Sequence, residues 1–155
     1  MRCRSGEGLP NLPFKWPSVS KSANELQLGD ALESLTFTVT PEFNEQYLFA
    51  QEDYAPQYLS GDGPAKVYPA LLMQMLAQTR SPSYWIPPGM GAVVGSTTTK
   101  FFGRAWVGLP YKVTWVVTKV YEKRGRPYQE VACKLFDADG TVIVERLLQL
   151  TYVSG

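Results

Sequence analysis

The sequence contains no histidine among its 155 residues. Imidazole is the usual general base near neutral pH and the commonest transition-metal ligand in proteins. Its absence excludes a histidine-dependent triad and leaves carboxylates, tyrosines, lysines and backbone dipoles for any chemistry. The acidic residues show no metal-ligand spacing and no phosphate-binding loop is present, so we expect neither a metal nor a bound cofactor.

Cysteine and long apolar runs are also scarce. Cys3 and Cys133 are the only cysteines, which excludes a disulfide framework and a cysteine-rich metal site. The longest apolar run, 70–77, is less than half of the about 20 residues that a membrane helix needs. Residues 1–4 are followed by polar residues, glycine and proline and not by an apolar signal core, so we expect a cytoplasmic protein.

Charge of one sign is not in excess. The 15 lysines and arginines nearly balance the 14 aspartates and glutamates, which leaves a formal net charge of +1. A nearly neutral surface does not attract nucleic acid or an anionic bilayer, so we expect neither as a partner. The hydrophobic fraction of 45% and the charged fraction of 19% are those of a globular protein, and the length fits one domain.

The start of the chain lacks any sustained periodicity. Residues 1–25 contain three prolines with scattered serine and glycine, which predicts an extended arm ahead of one domain over 26–155. The apolar residues Leu12, Phe14 and Trp16 either pack on the domain or a partner subunit, or belong to a free tail.

A strand and a short helix are predicted next. Apolar and polar residues alternate over 35–39, which indicates a strand with one buried face. Thr40, Pro41 and Glu42 then favour a helix start, because threonine caps free N–H groups, proline fits the first helical position and glutamate suits the positive end of the dipole. The spacing predicts three residues as the buried stripe of this helix: Phe43, Tyr47 and Ala50.

The second predicted helix is apolar on most sides. It spans 69–78, begins at Pro69 and ends before Pro82. Gln74 and Gln78 alone interrupt its apolar surface, and they lie one turn apart on a narrow face. A helix of this kind is normally wrapped by other structure, so we expect a curved sheet around it.

The remainder of the chain is β in character. Period-two alternation and turn residues predict antiparallel strands joined by tight turns at 123–126 and 137–140. With helices on one face of an antiparallel sheet, the fold class is α+β. The four predicted strands cover 91–102, 111–118, 128–136 and 141–153.

Several segments in this order resemble one known family. Leu28-Gly29-Asp30 and the stretch 37–42 are similar to the opening of MaoC-like dehydratases and hydratases, and 121–126 and 136–140 resemble their penultimate hairpins. The resemblance covers 28–152. It implies a single hotdog fold, in which a curved antiparallel sheet is wrapped around a long central helix.

The motif that defines the family is Asp-x-Asn-Pro-x-His, and residues 53–58 resemble it. Asp53 and Pro56 match, whereas Ala55 replaces the asparagine and Tyr58 the histidine. In the family, the aspartate and histidine add or remove water at an acyl thioester. A phenol, which titrates near pH 10, is a poor base. The resemblance therefore implies Asp53 as base and Tyr58 as acid; alternatively, Asp53 only ends its helix and Tyr58 only packs in a loop.

A second departure occurs where the central helix begins. The family has His-Gly there, and the glycine N–H binds the thioester carbonyl; this sequence has Tyr68 and Pro69, and proline has no N–H. The N–H of Ala70 or the Tyr68 hydroxyl is the expected substitute, unless Tyr68 is only a core or interface aromatic. The resemblance thus implies five substrate-binding residues: Tyr54, Tyr68, Pro69, Ala70 and Leu71.

Two further features have weaker support. In a second alignment register, Asp62 matches the aspartate and Lys66 replaces the histidine, although turn chemistry explains this glycine-rich stretch without function. The basic residues Lys123, Arg124 and Arg126 either contact phosphates of coenzyme A or a carrier-protein arm, or form a solvated hairpin turn.

The resemblance implies a lyase, a dehydratase or hydratase whose acyl thioester substrate carries coenzyme A or an acyl carrier protein. The absence of histidine leaves two alternatives: a cyclase or isomerase of specialised, polyketide-type metabolism, with Asp53 as base and a tyrosine as acid, and a non-catalytic subunit of a hetero-oligomeric hotdog dehydratase. Hotdog folds generally dimerise with sites at the interface. We therefore expect a homodimer or higher oligomer, with a hetero-oligomer as the alternative.

Overall fold

The computed structural model describes residues 21–155. Of the predicted arm, only 21–25 falls within this range, and there Ala23–Glu25 form a 3-10 turn. Ala23 is buried, and its N–H donates to the carbonyl oxygen of Trp85 at 2.8 Å. This short segment therefore packs against the domain. Three apolar residues of the predicted arm lie outside the described residues: Leu12, Phe14 and Trp16.

Five antiparallel strands form one sheet with the order β1-β3-β4-β5-β2. All the predicted strands are confirmed, because alternation fixes which residues face the core. Tight turns join the central strands: Arg124 and Gly125, both with positive φ, connect β3 to β4, and Asp137 accepts from the backbone N–H of Thr141 before β5. The strands are β1 (Ala31–Thr38), β2 (Met90–Phe101), β3 (Pro110–Lys123), β4 (Arg126–Phe136) and β5 (Val142–Ser154).

The first helix, α1, spans Pro41–Ala50 and is capped as predicted, with the Thr40 hydroxyl accepting from the Phe43 N–H at 3.2 Å. The predicted stripe is wrong for Phe43 and Ala50, which are exposed, whereas Tyr47 is half-buried and packs against the core. Phe43 is 42% exposed, and the buried residues of α1 are Asn44 and Leu48. The helix is rotated from the predicted orientation because it packs against a loop whose backbone groups need the polar Asn44 amide.

The second helix, α2, spans Pro69–Met75, shorter than the predicted 69–78. The chain then forms a second short turn, Gln78–Arg80, in which Gln78 is buried, so its expected exposure beside Gln74 is wrong. The indole of Trp115 donates to the Leu76 carbonyl oxygen at 2.9 Å. In a longer helix the Leu76 carbonyl oxygen would accept a backbone hydrogen bond from the next turn. Here it accepts from Trp115, and α2 ends just before it.

The core lies between α2 and the inner face of the sheet. Leu71, Leu72 and Leu76 are buried against side chains that alternate along the three central strands, as the sequence predicted. None of the helices between residues 21 and 155 has the length and apolar character needed to cross a lipid bilayer. The sheet residues of this core include Val113, Trp115, Val117, Val131, Cys133, Leu135, Leu148 and Leu150.

Strand β2 lies at one edge of the sheet. It pairs with β5 along most of its length, and no other strand within residues 21–155 pairs with it. Val93 and Val94 are each about half exposed, at 47% and 49%, and Phe101 at the end of the strand is 50% exposed. A long, unpaired and partly apolar edge favours pairing with another chain.

Candidate active site

The loop between α1 and α2 supplies most of the predicted site residues, and Asn44 holds this loop in place. The Asn44 side chain is fully buried. Its amide nitrogen donates to the carbonyl oxygens of Tyr58 at 2.9 Å and Lys66 at 3.1 Å, and its oxygen accepts from the Tyr68 N–H at 2.9 Å. One side chain of α1 thus fixes the backbone at three separate points of the loop.

A short ladder holds the end of this loop against the segment before β3. Val67 N–H donates to the Ala105 carbonyl oxygen at 2.9 Å, and Lys66 lies opposite Trp106. Val67 and Ala105 are buried, whereas Lys66 is half-buried and Arg104 is exposed.

Three tyrosine rings from α1 and the loop pack together. The Tyr68 and Tyr58 ring centroids are 5.2 Å apart at an interplanar angle of 81°, an edge-to-face contact. The Tyr47 ring lies 5.9 Å from that of Tyr68 and is tilted by 51°. Such geometry is favourable for aromatic pairs, so Tyr68 is held between two neighbouring rings.

Asp53 lies just beyond α1 and is half-buried. One carboxylate oxygen accepts from the Ala55 N–H at 3.0 Å, which fixes the side chain in an Asx turn. Burial, together with the charge of Asp53 and hydrogen bonding to its carboxylate, raises the pKa of the Tyr68 phenol. Tyr68 therefore stays protonated and is the tyrosine next to Asp53, while Tyr58 joins this pair through its ring contact with Tyr68.

A pocket of about 170 Å³ opens beside Tyr58 at the start of α2. This volume is below the range of about 300–1,000 Å³ that is typical of ligand pockets. Its lining includes three residues with polar side chains: Tyr58, Lys66 and Arg104. Its apolar wall is formed mainly by four residues: Val67, Pro69, Leu72 and Phe101.

The structure brings some of the predicted site residues together and separates others. Tyr58 and Pro69 line the pocket, Tyr68 contacts Tyr58 through its ring, and Asp53 adjoins Tyr68. The remaining three predicted substrate-binding residues do not line this pocket. Tyr54 is 62% exposed, Ala70 is exposed, and Leu71 is buried in the core.

The residues of the two predictions with weaker support also lie in different places relative to the pocket. Lys66 of the second alignment register lines the pocket, whereas Asp62 is exposed in the loop. The basic hairpin turn 123–126 lies at the far end of β3 from the pocket, which adjoins the segment leading into β3. Between residues 21 and 155, no three histidine, cysteine, aspartate or glutamate side chains come close enough together to hold a metal ion.

Sequence reasoning missed two residues that shape this site. Asn44 was recoverable in principle, because asparagine is a poor former of helix interiors and its presence there suggests a specific hydrogen-bonding role. Arg104 carries no such signal. Its place at the pocket depends on a pairing between segments almost forty residues apart in the chain.

No protein-family model and no curated protein sequence matches this chain. Among solved structures, it is similar to an (R)-hydratase from A. caviae involved in PHA biosynthesis, with 16% identity, a TM-score of 0.62, and coverage of 83% of this chain and 98% of that one. It is also similar to the fluoroacetyl-CoA thioesterase FlK, with 16% identity, a TM-score of 0.60, and coverage of 83% and 89%.

A third similar structure is the ChsH1-ChsH2 complex from Mycobacterium tuberculosis, with 17% identity, a TM-score of 0.61, and coverage of 81% of this chain and 97% of that one. At these identities the likeness establishes the fold. The chain has the hotdog fold: a curved, five-stranded antiparallel sheet packed around a central helix. The predicted α+β fold class is therefore confirmed.

Proposed function

We propose that this protein is an enzyme that acts on an acyl thioester of coenzyme A or an acyl carrier protein, adding or removing water at the pocket beside Tyr58. The observation that carries the proposal is the cluster of Asp53, Tyr68 and Tyr58 next to a pocket at the start of the central helix. The similar structures, which include a hydratase and an acyl-CoA thioesterase, support this class of substrate.

In the proposed reaction, Asp53 is the base and Tyr58 the acid. Removal of the α proton is coupled to breaking of the bond between the β carbon and its hydroxyl, and Tyr58 protonates that hydroxyl as it leaves as water. Neither Asp53 nor Tyr68 lines the pocket, so the substrate must extend past Tyr58 to bring its α carbon to the Asp53 carboxylate. Asp53 then takes the α proton and returns it to Tyr58 after the product leaves, and the reverse sequence adds water.

The roles of Asp53 and Tyr58 are testable by substitution. We expect Asp53→Asn and Tyr58→Phe each to lower kcat about 100-fold, because a positioned acid or base typically contributes on the order of 10²- to 10⁴-fold. The measurement is turnover of enoyl and 3-hydroxyacyl thioesters by purified protein whose circular dichroism matches wild type. Tyr54→Phe is the control, since Tyr54 lies outside the pocket, and it is expected to keep full activity. Wild-type turnover by Asp53→Asn would refute the role of this carboxylate.

We also propose that two copies of this chain pair through the open edge of β2. The half-exposed valines on this edge become buried when a second strand is added, and the unpaired backbone groups gain partners. The ChsH1-ChsH2 structure is itself a complex of two proteins, so a different hotdog chain is the alternative partner.

Substitutions on β2 distinguish these arrangements. Val93→Lys combined with Val94→Lys is expected to convert a dimer to a monomer, because two cations on each copy would face each other across the edge. Light scattering of the purified protein gives the mass directly. Val120→Lys, at a similarly exposed valine on β3, is the control and is expected to remain dimeric. A monomeric wild-type protein would contradict the homodimer and favour a second chain as partner.

A further inference from the structure

The pocket beside Tyr58 contains two cations that lack anionic partners. The ion pairs found between residues 21 and 155 are formed by Lys21, Lys119 and Lys134. Lys66 and Arg104 are in none of them, and none of the aspartates and glutamates of the described residues lines this pocket. Lys66 is half-buried and Arg104 is exposed, so an anion beside them would meet two uncompensated positive charges that water screens in part.

The backbone that carries these cations is held firmly. Lys66 N–H donates to the Gln57 carbonyl oxygen at 2.9 Å, and its carbonyl oxygen accepts from Asn44. Opposite Lys66, Trp106 N–H donates to the Tyr111 hydroxyl at 2.7 Å. These hydrogen bonds fix the backbone of Lys66 and of the segment opposite it, and Arg104 lies two residues before Trp106 in that segment.

We infer that this pocket binds a carboxylate on the acyl chain of the substrate, with Lys66 and Arg104 as its ligands. This inference rests on the proposed function and specifies its substrate class: a short acyl thioester with a second, free carboxyl group. Arginine binds carboxylates through two parallel hydrogen bonds, and lysine adds a point charge. Tyr58, the proposed acid, lines the same pocket.

The dimensions of the pocket favour a short chain. A volume of about 170 Å³ equals the share of roughly six water molecules in the liquid, enough for a carboxylate and a few methylene groups. Leu72 and Phe101 provide apolar contacts for the methylenes. An uncharged chain of the same length would fill the apolar wall but leave both cations without a partner, so we expect the enzyme to discriminate against it.

Coenzyme A phosphates are another source of anionic oxygens, and the test separates them from a carboxylate. The probes are N-acetylcysteamine thioesters of succinic and butyric acid, which contain no phosphate and differ in one charged group. Binding is measured by calorimetry at low salt, and we expect the succinyl thioester to bind on the order of tenfold more tightly. Lys66→Met and Arg104→Met should each remove most of this preference. Lys100→Met, on the exposed face of β2, loses the same charge outside the pocket and should retain it.

Two results would overturn the inference. One is equal binding of the succinyl and butyryl probes to the wild-type protein. The other is a loss of affinity for coenzyme A thioesters in Lys66→Met and Arg104→Met that does not depend on acyl charge, which would assign the cations to the phosphates. Binding is measured separately from turnover and repeated in Asp53→Asn. A succinyl preference in a wild-type protein that turns over neither enoyl nor 3-hydroxyacyl thioesters would support the binding site and refute the proposed reaction.

Discussion

Replacing Asn44 by alanine is expected to lower the free energy of unfolding by about 4 kcal/mol. The substitution leaves the carbonyl oxygens of Tyr58 and Lys66 and the N–H of Tyr68 without their partner. Each buried polar group that loses its hydrogen bond costs roughly 1–3 kcal/mol, and water entering the gap recovers part of the sum. The same loss releases the loop that carries the site.

Denaturant unfolding at equilibrium gives this free energy directly. Glu45→Ala is a matched control, because Glu45 also connects α1 to the loop, by accepting from the Ser60 N–H at 3.0 Å, but this contact is exposed. Its loss is expected to cost less than about 1 kcal/mol. If both variants were equally stable, the buried Asn44 contacts would not be what holds the loop. Asn44→Asp keeps the acceptor but places a carboxylate against the carbonyl oxygens of Tyr58 and Lys66 in a buried position, so it should be at least as destabilising as Asn44→Ala.

The second large effect is alkaline destabilisation through Cys133. Burial raises the pKa of the Cys133 thiol to about 12 from an ordinary value of about 9, and the charge of Arg146 opposes this only in part. Above pH 9 the unfolded chain releases the thiol proton while the folded chain retains it. Stability from this residue is therefore complete below pH 9 and is lost as the pH rises toward 12. The full difference is worth about 4 kcal/mol.

Denaturant unfolding between pH 8 and pH 11 isolates this contribution when wild type is compared with Cys133→Ala. Lysines and tyrosines titrate in the same range, so both proteins lose stability, but only wild type carries the additional slope of about 1.4 kcal/mol per pH unit. The alanine variant begins less stable at pH 8 because it leaves a small cavity, and the two curves should converge as pH increases. Parallel curves would show that Cys133 ionises equally easily in both states.

Local patterns in the sequence were sufficient for the order and type of the strands and main helices, but not for the end of α2. Alternation along 111–117 predicted the buried face of β3, and the Thr40 cap predicted where α1 begins. Both depend on neighbouring residues, so no knowledge of distant contacts was needed. The stripe of α1 was mispredicted for the opposite reason, since Asn44 faces inward to satisfy the backbone of a loop up to 24 residues away.

The candidate site was only partly accessible from the sequence. The resemblance over 53–58 located a loop that the structure places beside a pocket at the start of α2. It paired Asp53 with Tyr58, whereas Tyr68 is the phenol that Asp53 influences. Which tyrosine approaches a carboxylate depends on how the loop folds back on α1. That path is set by hydrogen bonds from Asn44 rather than by spacing along the chain.

The sequence by itself determined that this chain supplies no imidazole, its order of strands and helices indicated an α+β fold, and the resemblance over 28–152 implied the hotdog fold. Only the tertiary structure decided that Lys66 and Arg104 share a pocket with Tyr58. Periodicity reports which face of an element is buried, because it arises from neighbours a few residues apart. Charged residues from distant segments come close together only when the pairing between those segments is fixed. Here the pairing is a single bridge between Lys66 and Trp106.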